Sequence, residues 1–141
     1  MRRLTGTLLA IVLAGCGSSA ADLTLAPTDT TVAGTFNLTT ANGIELPIVA
    51  TRTLSEEYDL AGDQLVLDAS GTWTETTSYT VIELNDNSQS TTTSVTSGTY
   101  SISNKQIVFV RTVGGAATFT GSVTGNVLSL LYNGGHFLYT R

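Results

Sequence analysis

Between residues 42 and 135 this chain is cut into short pieces by turn residues, and that punctuation limits its fold more than any other feature. Asn42-Gly43, Asp68-Ala69-Ser70-Gly71, Asn85-Asp86-Asn87-Ser88, Asn104-Lys105, Gly114-Gly115, Gly125-Asn126 and Gly134-Gly135 follow one another at close intervals. Gly and Asn accept the positive φ that tight hairpins demand, so each group predicts a reversal of the chain. The segments between them are rich in Thr, Val, Ile and aromatic residues. No window sustains the i, i+3, i+4, i+7 apolar pattern of an amphipathic helix. The 26 threonines point the same way, because a β-branched side chain loses rotamer freedom in a helix and packs well on a pleated sheet.

Residues 33–141 therefore read as one all-β domain of eight to ten strands. Strands joined in order by tight turns form an antiparallel up-and-down meander, and such a sheet removes its edges by closing into a barrel. A two-layer β-sandwich is the alternative. Asn42-Gly43 separates a strand over 35–40 from one over 44–53, and the later turns delimit the rest. Alternation predicts an inward set drawn from every strand: Phe36, Leu38, Leu65 and Leu67 early, Trp73, Tyr79, Tyr100 and Ile102 in the middle, and Phe109, Phe119, Leu128, Leu130 and Tyr139 late. A weak repeat runs through it, since Gly34-Thr35-Phe36, Gly71-Thr72-Trp73 and Gly98-Thr99-Tyr100 each set an aromatic two residues after a glycine.

The first fifteen residues have another character. Met1-Arg2-Arg3 is followed by the apolar Leu8-Leu9-Ala10-Ile11-Val12-Leu13 and then small residues, the order of a secretory signal and too short for a permanent membrane span. Leu13-Ala14-Gly15-Cys16 resembles the lipobox of bacterial lipoproteins, and Cys16 is the only cysteine. The resemblance implies cleavage before Cys16 and palmitate-type acylation there, hence a partner in the membrane. Gly17 rather than Asp follows the cysteine, which implies the outer membrane of a bacterial envelope, facing the periplasm or the exterior. Residues 16–32 are small and polar and read as a flexible tether, with a reach of up to ~50 Å at about 3.3 Å per residue.

The domain itself resembles the small lipocalin-like proteins of bacterial envelopes, through Gly34-Thr35-Phe36 on the first strand and the closing Phe137-Leu138-Tyr139-Thr140-Arg141. The resemblance implies a structural aromatic-cation pair of Phe36 with Arg141 and a small apolar ligand in the barrel or at its mouth. Trp73, Tyr79, Tyr100, Phe109 and Phe119 are the candidate ligand-binding residues.

Chemistry is sparse. His136 is the only histidine, so neither a multi-histidine metal site nor a Cys-His pair is built within one chain, and no Gly-x-Ser-x-Gly elbow occurs. Glu56-Glu57-Tyr58-Asp59 with Asp63 lacks calcium-loop spacing and reads as a solvated loop at the rim. Glu75 and Glu83 share one strand but stand ~27 Å apart, too far for paired acid-base work. From Cys16 onward the chain has four basic and eleven acidic residues, a balance that repels phosphate backbones, so no nucleic acid partner is expected. No enzyme activity, cofactor or metal is expected either. Ile107 to Val110 and Val127 to Tyr132 are apolar on both faces, which predicts either an exposed patch for a partner or cover by the 46–49 segment. A lipid-anchored binding protein with a hollow barrel is the first functional expectation. An envelope structural or protein-interaction lipoprotein with a filled barrel is the alternative, and the interior volume discriminates between them.

Overall fold

The structure is a computed structural model that describes residues 32–141. Cys16, the lipobox, the signal segment and the tether up to residue 31 lie outside the described residues. Ten strands follow: β1 (Gly34–Ala41), β2 (Ile44–Glu45), β3 (Ile48–Arg52), β4 (Glu56–Leu67), β5 (Thr72–Glu83), β6 (Gln89–Ser103), β7 (Gln106–Val113), β8 (Ala117–Thr124), β9 (Val127–Tyr132) and β10 (Gly135–Thr140).

From β4 to β10 each strand pairs antiparallel with the next, and β1 closes the ring by pairing β10 on one edge and β4 on the other. The result is an eight-stranded antiparallel meander barrel with β2 and β3 outside it. A closed ladder joins what would be the two edges of a sandwich, which excludes the two-layer alternative. The turns sit where Gly and Asn placed them: Asn42, Asn87, Asn104, Asn133 and the adjoining glycines Gly43 and Gly134 all take positive φ.

Two segments differ from expectation. The 44–53 stretch is not one strand, because Pro47 has no N–H to give a ladder and splits it into β2 and β3. The acidic 56–63 stretch is not a rim loop but the first half of β4, held in register along nearly the whole of β5 from Glu56 opposite Glu83 to Leu67 opposite Trp73.

Closure of β1 on β4 is incomplete, and this feature positions the site. The ladder runs only from Gly34 opposite Leu67 to Asn37 opposite Gln64, where the two side chains also bond at 3.1 Å. Just beyond that rung both strands bulge, β1 between Leu38 and Thr40 and β4 between Leu60 and Gly62. A bulge bends and over-twists its strand, so the edges part. β2 then pairs the end of β1 and β3 the start of β4, flanking the opened seam.

Every member of the alternation-derived inward set lies in the core or packs against it. Phe36, Trp73 and Tyr100, the aromatics of the glycine repeat, are buried together. Their polar handles are satisfied, with Trp73 Nε1 donating to the Thr99 carbonyl at 3.0 Å and Tyr100 Oη to the Asp68 carbonyl at 2.7 Å. Gly98 is required by packing, since a Cβ there would overlap the Val110 carbonyl oxygen. Phe109 and Phe119 stack at 4.8 Å with Trp73 edge-on to both. Such pairs add about 0.5–1.5 kcal/mol each beyond the area they bury.

One end of the barrel is sealed over its packed core, beside a half-open concavity of about 440 Å³ bordered by Val32, Ile107, Val123 and Arg141. Val32 is buried against that core, and Arg141 Cζ stands 5.1 Å from the centroid of the Phe36 ring. The same guanidinium donates to the carbonyls of Ala33 at 3.1 Å and Gly125 at 3.2 Å, joining the last residue to the first strand. Leu46 and Ile48 are partly buried and pack on the core rather than over β7 and β9. Val110, Val127 and Leu131 consequently remain exposed.

Candidate functional site

Away from the sealed end the interior changes character at one level on four neighbouring strands. β4 passes from Leu67 and Leu65 to Asp63, and β5 from Trp73 to Glu75 and Thr77. β6 passes from Tyr100 to Thr96 and β7 from Phe109 to Arg111. Side chains at even offsets share a face, so a step from apolar to polar in each strand becomes a polar layer across the barrel. Smaller polar side chains do not fill the bore. They leave a cavity of about 320 Å³.

Its wall is mixed. Leu38, Leu60, Phe119, Leu130 and Phe137 supply the apolar side, while Asp63, Glu75, Thr77, Thr96 and Arg111 with the tyrosines 79, 132 and 139 supply the polar one. Of the sequence-derived ligand candidates, Tyr79 and Phe119 line this cavity. Trp73, Tyr100 and Phe109 lie in the packed layer next to the sealed end. Phe36 and Arg141 belong to that end as well and do not line the cavity.

The two carboxylates have different environments. Glu75 accepts from Thr96 Oγ1 at 2.8 Å and from Tyr139 Oη at 3.4 Å. Asp63 accepts from Thr77 Oγ1 at 2.9 Å through Oδ2, while its buried Oδ1 has no partner among the described residues. Burial pushes the Asp63 carboxyl up to about 8, with the neighbouring Glu75 charge adding to the rise and the Thr77 hydrogen bond opposing it. Burial and the same two carboxylates also hold the hydroxyls of Tyr139 and Tyr79 above their ordinary range. The one cation on the wall is already engaged: Arg111 donates to the Gly115 carbonyl at 2.8 Å and to Tyr132 Oη at 3.0 Å, with its Cζ 5.5 Å from the Tyr132 ring centroid.

A second concavity lies at the opened seam on the outer face, where Asn37, Thr39, Glu45, Gln64 and Thr76 form a broad saddle of about 790 Å³. It is larger but wide open, and enclosure is what removes a ligand from water. We therefore place the site in the interior. Leu38 and Asp63 line both spaces, so the parted seam brings the saddle up to the cavity wall. Thr40 on the saddle also carries a buried hydroxyl without a partner.

His136 is exposed on β10, where its ring nitrogen meets Ser129 Oγ at 2.7 Å on the outer surface. No carboxylate among the described residues bonds that ring. No three His, Cys, Asp or Glu side chains among the described residues group as metal ligands.

Thr96 and Arg111 carry no motif signal, and Asp63 and Glu75 stand out only as a rim-loop acid and as one of a widely spaced pair, yet all four line the cavity. Parity carried signal for all four, since each lies at an even offset from an apolar neighbour in the inward set. The Thr-rich alternation of β5 and β6 hides it, because both faces of those strands read as polar. No family model, curated protein or solved structure matches the chain.

Proposed function

We propose that this barrel is a non-catalytic, lipocalin-like binding module that takes a small amphiphilic molecule into its half-polar interior and is held at the bacterial envelope by acyl chains on Cys16. The observation that carries the binding half is the partly enclosed space of about 320 Å³ with mixed walls. Ligand sites span about 300–1,000 Å³, so the volume falls at the small end of that class. A filled bore would have favoured a purely structural role.

The anchoring half rests on Leu13-Ala14-Gly15-Cys16. Each buried acyl CH2 contributes about 0.8 kcal/mol, and two chains or more hold stably. Palmitate incorporation that disappears in Cys16→Ser supports it, and equal labelling of the two proteins contradicts it.

The small neutral dye prodan tests the cavity. Saturable binding with a blue-shifted emission is expected, lost in Ser94→Trp, which places an indole on the cavity wall. Unsaturable binding, or binding that Ser94→Trp leaves intact, puts the dye on the surface and removes the reading. A protein-interaction role has one specific observation in its favour, the uncovered Val110, Val127 and Leu131. Crosslinking at Leu131 in intact cells that traps a defined partner would move the assignment to that face.

A further inference from the structure

We infer that the cavity is built for the ammonium group of a small amphiphilic amine, with the cation seated between Asp63 and Glu75 and its apolar or aromatic body against Leu38, Phe119 and Phe137. The inference rests on the binding role proposed above and names the ligand's chemical class.

Three observations converge on it. First, the polar wall carries two carboxylates against one cation, and Arg111 is spent on Gly115 and Tyr132 rather than on either acid. The one ion pair within 4 Å among the described residues lies elsewhere, between Arg52 and Glu57. A ligand anion would meet the Glu75 carboxylate with no free cation beside it, whereas a ligand cation pairs with Glu75 and can displace the proton that Asp63 holds. Second, Asp63 lines the cavity and its buried Oδ1 has no hydrogen-bond partner among the described residues. Buried polar atoms in native proteins are nearly always paired, so an unpaired one on a residue that lines the cavity marks where a polar partner belongs once the side chain turns to meet it. An ammonium brings three donors. Third, the rest of the wall suits an organic cation better than a metal ion. The tyrosines 79 and 139 and the phenylalanines 119 and 137 line the space, and aromatic faces attract cations. The acids meanwhile do not reach the three ligands of even a minimal metal cluster.

The groups facing Asp63 set how binding depends on pH. They are Glu75 and Tyr79 from β5, Tyr139 from β10, and Arg111 and Tyr132 across the bore from β7 and β9. Around neutral pH the free protein holds a proton on Asp63 that an incoming ammonium displaces, so amine binding releases a proton and tightens as the medium becomes more alkaline, until the amine itself deprotonates.

Isothermal titration of the full chain with phenylbutylamine, phenylbutanol and phenylbutyrate separates the possibilities, since the three share one apolar body. A charge-assisted hydrogen bond is roughly twice as strong as a neutral one, so the amine is expected to bind tighter than the alcohol by about tenfold or more at pH 8. In Asp63→Asn, which keeps shape and the Thr77 contact, that preference should collapse toward parity, and Glu75→Gln should reduce it. Titration in buffers of different ionisation enthalpy should show proton release for the amine alone. If the alcohol or the carboxylate binds as well as the amine, the amine assignment is overturned while the binding role stands. If none of the three binds, the binding role fails with it.

Discussion

The two halves of the bore run along the same strands and are built on opposite principles. Next to the sealed end, Phe36, Trp73, Phe109 and Leu128 are at most 2% exposed, and every polar handle among them is bonded. One layer further along, Asp63, Glu75, Thr96 and Arg111 replace them around the cavity. A closed barrel needs only enough contact to fix its register, and the aromatic layer provides it. The far half is thereby released from packing and can hold groups that a folded core would reject.

That contrast predicts unequal sensitivity. Phe109→Ala, which empties the stacked layer, should cost about 3–5 kcal/mol in urea unfolding, whereas Phe137→Ala, on the cavity wall, should cost less than half as much. Equal losses would dissolve the distinction. Gly98→Ala forces β6 and β7 apart at Val110 and should cost about 1–3 kcal/mol. Gly62→Ala has open space around it and should be nearly silent.

Asp63 sharpens the comparison through pH. Its carboxyl moves from 3.8 to about 8 on folding, so between those values the folded protein holds a proton that the unfolded chain has released. Stability then falls as pH rises through the window and levels off above it. Asp63→Asn should remove this slope, matching the parent near pH 4 and exceeding it by at least about 1 kcal/mol at pH 9, because even a tenfold difference in proton affinity between the folded and unfolded chain is worth about 1.4 kcal/mol. Parallel stability curves for the two proteins would show that Asp63 is solvated. The smallest effect belongs to the sealed end, where Arg141→Ala should cost about 1 kcal/mol from the lost stacking and carbonyl contacts without altering prodan binding.

Much of the fold was legible because turns are local: Asn42-Gly43 or Gly125-Asn126 specify a reversal whatever surrounds them. Inward parity was legible too, in the strands with a large apolar residue to set it. The seam was not. It depends on bulges at Leu38–Thr40 and Leu60–Gly62, and a bulge is a product of strand pairing across the barrel rather than of nearby residue type. The acidic run in β4 read as a loop for the same reason, because only its pairing with β5 makes it a strand. Aromatic residues drew attention as ligand contacts because they are large, yet size is what committed Trp73, Tyr100 and Phe109 to packing. The cavity fell to smaller polar residues that look like surface.

A high-resolution crystal structure at neutral pH, with the interior density inspected around Asp63, tests the central claim most directly. Ordered waters or an elongated ligand should bridge Asp63 and Glu75, with dry contact between Trp73 and Phe109. An interior in which Tyr139 and Phe137 collapse onto Asp63 and leave no space would contradict it.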